Sequence, residues 1–242
     1  MKTPKMILFD YGQTLIAEQK FDGVKGTEAV LQYAVRNKYR LSAKQVQAKA
    51  NEINQELKRF DPEQRHLFQI EIPNSMFEPY LYESLGIEIA LSNSEIDRIF
   101  WDAAAPGVPT EGIKDFLDYL KSREIRTGVI SNIAYAPSVV AERINRLLPE
   151  NNFEFILTSS NYIFRKPHKR LFDLALEKAG LRSTEVWYIG DQYECDIKGS
   201  LNAGLFPVWY TGAMDLPYTE DKSILTIAVW DELIRKMEEQ DK

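Results

Sequence analysis

The chain has little of what builds disulfide, thiolate or histidine sites. Cys195 is the only cysteine in 242 residues, which excludes an internal disulfide and any CxxC redox or zinc site. His66 and His168 are the only histidines and lie far apart in dissimilar contexts, so a histidine-based zinc site has no material and any metal should be oxygen-ligated. Positive charge is not in excess. The 30 Lys and Arg against 36 Asp and Glu leave a net charge of −6, without the electrostatic footprint that nucleic acid or an anionic membrane surface requires. Long apolar runs are absent too: the stretch Met6–Phe9 is too short for a signal-peptide core or a membrane span. These absences predict a globular protein in a reducing, cytoplasmic setting, with no nucleic-acid or membrane partner. No internal repeat or low-complexity run is present.

What is present is a series of short apolar runs of the buried-strand type, at Met6 to Phe9, Thr127 to Ile130, Phe153 to Leu157, Val186 to Ile189 and Phe206 to Tyr210. From Ile113 onward they alternate with helical patterns. Ile113, Phe116, Leu117 and Leu120 share one face, and so do Leu171, Phe172, Ala175, Leu176 and Ala179, between Pro167 and Gly180. The alternation predicts βαβ units, that is, an α/β Rossmann-like parallel sheet with helices on both faces. A strand over Ser223 to Trp230 and a closing helix over Asp231 to Glu239 are expected at the end of the core.

Residues 16 to 106 differ, with helical signals and no convincing strand. Ser42-Ala43-Lys44-Gln45 and Ser92-Asn93-Ser94-Glu95 have capping-box spacing. The region is expected to be an inserted α-helical domain over 17–106, leaving 1–16 and 107–242 as the core. Its crossings are placed at the helix-incompatible Ala105-Pro106-Gly107-Val108-Pro109, suited to a hinge, and around Phe21-Asp22-Gly23.

Four polar segments each follow an apolar stretch: Asp10-Tyr11-Gly12-Gln13-Thr14, Ser131-Asn132, Lys166-Pro167, and Gly190-Asp191 with Asp196. In a parallel sheet, side chains at the carboxyl ends of the strands converge on one crevice. Asp10 there is suited to attack phosphorus as a nucleophile. Asp191 and Asp196 are clustered carboxylates that need a cation such as Mg²⁺ to neutralise them. Lys166 can offset charge on Asp10 and on phosphoryl oxygens, and Ser131 with the amide of Asn132 can bind a phosphoryl oxygen.

With those residues in that order, the chain resembles the haloacid dehalogenase superfamily, whose motifs are DxDx[TV], a strand-end Ser or Thr, a Lys, and a GDxxxxD-type acidic segment. The helical insertion resembles the cap of the branch that contains phosphoglycolate phosphatases, phosphomutases and dehalogenases. The resemblance implies that Asp10 is the nucleophile and that Asp10, the Gly12 carbonyl, Asp191 and Asp196 form the Mg²⁺ site. It also implies that Thr14 stabilises the first loop, that Ser131 binds the phosphoryl group and that Lys166 orients Asp10. The substrate it implies is a small phosphorylated metabolite, hydrolysed through an aspartyl-phosphate.

The departure is Gly12, where family phosphatases carry the Asp that protonates the leaving group and then activates water. Losing such a group costs about 10²–10⁴ in rate, so weak activity on poor leaving groups is expected. Two alternatives follow: a catalytically impaired binding or regulatory protein, and a metal-independent 2-haloacid dehalogenase, against which the retained Asp191 and Asp196 count. Gln13, where Gly is common, concerns loop geometry. Glu18, His66 and the aromatics Phe60, Phe68, Phe77, Tyr80 and Tyr82 lie in the insertion, and Tyr193 and Glu194 in the fourth motif. None of these is assigned the acid's role. The insertion's lysines, including Lys20, Lys25, Lys44, Lys49 and Lys58, offer no obvious Schiff-base former.

Overall fold

A computed structural model of the chain describes residues 3–59, 69–213 and 221–240. His66, Phe60 and Phe68 lie outside those residues. Among the described residues the strands are β1 (Met6–Phe9), β2 (Ile16–Glu18), β3 (Ala34–Asn37), β4 (Ile87–Ile89), β5 (Gly107–Pro109), β6 (Arg126–Ser131), β7 (Phe153–Thr158), β8 (Val186–Gly190), β9 (Phe206–Tyr210) and β10 (Leu225–Ile227). Six form one sheet in the order β10-β9-β8-β1-β6-β7, with every neighbouring pair parallel. β1 is central because both its faces are apolar: Ile7 and Phe9 join one core layer, Met6 and Leu8 the other.

The first layer packs under the helices Ile113–Ser122, Pro137–Leu147 and Trp230–Gln240, with Phe9 against Phe116, Phe153 and Trp230. The second packs under the helix Lys169–Ala179, which ends where Gly180 adopts φ 64°, a left-handed value that glycine takes without steric cost. The expected core strands and helices are thus present. Among the described residues no helix is long and apolar enough to cross a membrane.

The insertion is helical over Gly23–Leu31, Ala43–Glu56, Asn74–Ser84 and Asn93–Ala104, and both capping boxes form. It is not free of strands, and this corrects the expectation from sequence. β3 pairs antiparallel with β4, Asn37 opposite Ile87, and forms a short ribbon whose exposed positions include Val35 and Arg36. So short a strand needs its partner to be recognised, and the partner comes some fifty residues later in the chain. The crossing is a second ribbon: β2 pairs antiparallel with β5, Ile16 opposite Pro109 and Glu18 opposite Gly107. The Pro-Gly-Val-Pro stretch is therefore strand-paired rather than an open hinge. At the other crossing Asp22 caps the helix Gly23–Leu31, accepting from the amides of Val24 and Lys25.

Candidate active site

Register brings the motifs together. Phe9 lies opposite Val129 of β6 and Ile189 of β8, so the next residues in each strand, Asp10, Ile130 with Ser131, and Gly190 with Asp191, emerge at one edge. This is the point where the chain order reverses on either side of β1, at which α/β sheets open a crevice. Gly190 is required there: a Cβ on it would stand 2.4 Å from the Asp196 Cγ.

Lys166 is the hub. Its Nζ donates to Asp10 Oδ1 at 2.6 Å, Asp196 Oδ1 at 2.7 Å, the Tyr188 hydroxyl at 2.6 Å and the Ile130 carbonyl at 3.0 Å, with only 2% of the residue exposed. Asp196 also accepts from Tyr188 at 3.1 Å and, through Oδ2, from the Gln192 amide at 2.9 Å, so both its oxygens are held by protein groups. Sequence reasoning missed Tyr188; its only signal there is a hydroxyl in mid-strand among fully apolar neighbours.

Burial pushes the Asp10 carboxyl up to about 6, with the Asp196 charge adding to the effect and Lys166 opposing it. Burial, then the charges of Asp10 and Asp196, push Asp191 well up as well. Burial would lower the Lys166 ammonium, but Asp10 and Asp196 outweigh it and the net direction is upward. Asp10, Asp191 and Asp196 each offer a carboxylate oxygen within 4.8 Å of the others. One ammonium does not neutralise three buried carboxylates, and an all-oxygen set of this kind fits a hard divalent cation. The donor chemistry therefore suits Mg²⁺.

The remaining predicted residues fall around this cluster. Thr14 Oγ1 donates to Asp191 Oδ1 at 3.5 Å, and its carbonyl accepts from Thr110 Oγ1 at 2.8 Å. Ser131 is buried at the end of β6 and lines the cavity. The Asn132 side chain turns instead to the lysine's backbone, which it fixes by donating to the Lys166 carbonyl at 2.8 Å and accepting from the Lys166 amide at 2.7 Å. Gln13 has φ 53°, which explains the frequency of glycine there, and its Nε2 donates to the Glu18 carbonyl at 2.9 Å. Gly12 lies beside Asp10 on the cavity wall.

A cavity of about 540 Å³ opens above the cluster, between the strand ends and the insertion. Phe77, Tyr82 and Lys20 of the insertion line it; Tyr80 is exposed, and Lys25, Lys44, Lys49 and Lys58 lie elsewhere. Tyr193 and Glu194 turn away from it, toward Asp221 and Lys198. A buried group behind two arginines that line the cavity is also invisible in the sequence: Glu71 pairs with Arg59 and Arg165 and accepts from Ser159 Oγ at 2.6 Å.

Residues 4–204 match the sequence signature of the haloacid dehalogenase-like hydrolases. Among curated relatives, the pyrimidine 5'-nucleotidase YjjG of Escherichia coli (strain K12) is 30% identical over 130 residues, 53% of this chain and 56% of that protein. The glyceraldehyde 3-phosphate phosphatase of Pyrococcus furiosus is 31% identical over 113 residues, 45% of this chain and 46% of that protein. The matches thus span about half the length of these relatives. The fold recurs in a 2-haloacid dehalogenase from Pseudomonas syringae pv. Tomato DC3000, with a TM-score of 0.65 at 18% identity over 99% of this chain and 100% of that one. It recurs also in a HAD phosphatase from Thermococcus onnurineus, with a TM-score of 0.63 at 16% identity over 96% and 97%. With the signature covering most of its length, the chain belongs to the haloacid dehalogenase-like hydrolases.

Proposed function

We propose that the protein is a Mg²⁺-dependent phosphohydrolase of the cytoplasm that transfers the phosphoryl group of a small phosphorylated metabolite to Asp10 and then to water. The observation that carries this reading is the cluster of Asp10, Lys166, Asp191 and Asp196, three of which, Asp10, Lys166 and Asp196, line the cavity. The phosphatase and nucleotidase names of the curated relatives support phosphorus as the electrophile.

Asp10, the Gly12 carbonyl, Asp191 and Asp196 would hold the cation, which when bound neutralises charge on the carboxylates and the phosphoryl group. Lys166 holds one oxygen of Asp10, which lines the cavity. Ser131, which lines the cavity, would donate to a phosphoryl oxygen, and Thr14 donates to Asp191. Gly12 itself brings no proton, so alkyl phosphates depend on a donor from elsewhere in the cavity. Halide displacement would leave the buried Asp191 and Asp196 without a role, and a pure binding function would leave Asp10 aimed for nothing.

The test is turnover of acetyl phosphate and p-nitrophenyl phosphate. It should require Mg²⁺ and vanish in Asp10→Asn, and the peptide containing Asp10 should gain one phosphoryl group on rapid quenching. No turnover across a broad phosphate panel, or turnover that survives Asp10→Asn, refutes the reading.

A further inference from the structure

Gly12 leaves a space in the site, and the structure shows what borders it. A Cβ built on Gly12 has one neighbour within 4 Å, Oε2 of Glu18 at 3.8 Å. A carboxyl group at position 12 would thus project into space that the Glu18 carboxyl already edges. Glu18 reaches this place from β2, the ribbon strand that follows the first motif, and it lines the cavity together with Asp10 and Gly12.

The two Glu18 oxygens are treated differently. Oε1 is anchored: Trp101 Nε1 donates to it at 2.8 Å, and the Tyr11 hydroxyl and Arg143 Nη2 stand at 3.4 Å. Gly107, opposite Glu18 in the ribbon, has no room for a side chain, since a Cβ there would lie 2.6 Å from Ile16 Cγ2 and 3.2 Å from Arg143 Nη2. Oε2 has no hydrogen-bond partner among the described residues. Arg143 also pairs with Asp102, which Arg146 shares, and donates to the Ala105 carbonyl and the Tyr11 hydroxyl.

We propose that the Glu18 carboxyl group is the proton donor and acceptor of this site, occupying the role that Gly12 leaves open. The inference rests on the aspartyl-phosphate chemistry proposed above. As an Asp10 oxygen bonds to phosphorus and the bond from phosphorus to the leaving oxygen breaks, the proton on Glu18 Oε2 passes to that oxygen, which departs as an alcohol. A water oxygen then attacks the phosphorus of the aspartyl-phosphate and gives a proton to Glu18 Oε2. The Asp10 oxygen–phosphorus bond breaks, its electron pair returns to the carboxylate, and inorganic phosphate leaves. Burial raises the Glu18 carboxyl against the opposing effects of Arg143, Trp101 and Tyr11, and that direction is the useful one for an acid.

Glu18→Gln keeps an oxygen for Trp101 and removes the transferable proton. With Mg²⁺ its turnover of an alkyl phosphate should fall by about 10²–10⁴-fold. With p-nitrophenyl phosphate it should release one p-nitrophenol per site in a burst and then stall with the phosphoryl group on Asp10. Adding Gly12→Asp to Glu18→Gln should restore steady turnover. A folded Glu18→Gln variant with native leaving-group dependence and no burst overturns the proposal. Should Glu18→Gln fail to fold, Gly12→Asp alone decides: a gain on alkyl phosphates below about tenfold agrees with a donor already in place, and a gain of about 10²-fold overturns it. If the native protein never carries a phosphoryl group on Asp10, the chemistry itself is refuted and the role of Glu18 with it. A defect confined to the Glu18 variants, in a native protein that does carry one, leaves both standing.

Discussion

Asp10→Asn replaces a strained carboxyl by a neutral group of the same shape, and the gain should depend on pH. The native Asp10 carboxyl is raised from 3.8 to about 6. Between those values the folded protein holds a proton that the unfolded chain has lost, so stability falls as pH rises through that window and stays lower above it. At 1.36 kcal/mol per unit, the shift amounts to about 3 kcal/mol, and Asp191, raised in the same direction, adds to it. The variant has no such penalty at position 10. Urea denaturation in a chelator should therefore show the stability of Asp10→Asn relative to native increasing by about 2 kcal/mol between about pH 4 and pH 8. Saturating Mg²⁺ should shrink that increase, because a bound cation relieves the same repulsion. A difference between variant and native that stays flat with pH in the chelator, or that falls, would show that Asp10 is not held against its ionisation and would refute the electrostatic account of the cluster.

Lys166→Met leaves Asp10 and Asp196 buried without their ammonium and should cost about 3–5 kcal/mol in chelator at neutral pH, read by the same denaturation. Gly190→Ala drives a methyl group into Asp196; it should cost about 1–3 kcal/mol and weaken Mg²⁺ uptake in calorimetry. Ser92→Ala removes the capping box of the helix Asn93–Ala104, which should cost about 1 kcal/mol and lower the melting temperature by about 2–4 °C, with Mg²⁺ uptake unchanged.

Much of the fold is legible because a buried parallel strand announces itself locally. Met6 to Phe9 and Val186 to Ile189 are apolar on both faces, and nothing but a strand of that length suits them. Ser42 and Ser92 announce their helices by hydrogen bonds confined to four residues. β3 and β4 are not legible, since Arg36 and Glu88 carry no alternation that distinguishes them from a turn until they are set opposite each other. In the site, the order of Asp10, Ser131, Lys166 and Asp191 points to convergence. The roles of Asn132 and Tyr188 do not show, because each depends on an atom of Lys166, 34 and 22 residues away. Glu18 is visible only as one acid among several, since Trp101 and Arg143, which fix it, come from 83 and 125 residues further along.

β1 has a further consequence for how the chain finds its native alignment. Its four residues are completely buried on both sides, so hydrophobicity alone scarcely distinguishes the correct alignment from one slipped by a single position. Shape helps, through Phe9 wedged among three aromatic rings. The sharper discriminator is ionic: a slip carries Asp10 away from Lys166 and strands a carboxylate in a dry interior. The same contact that equips the protein for chemistry thus also proofreads its assembly.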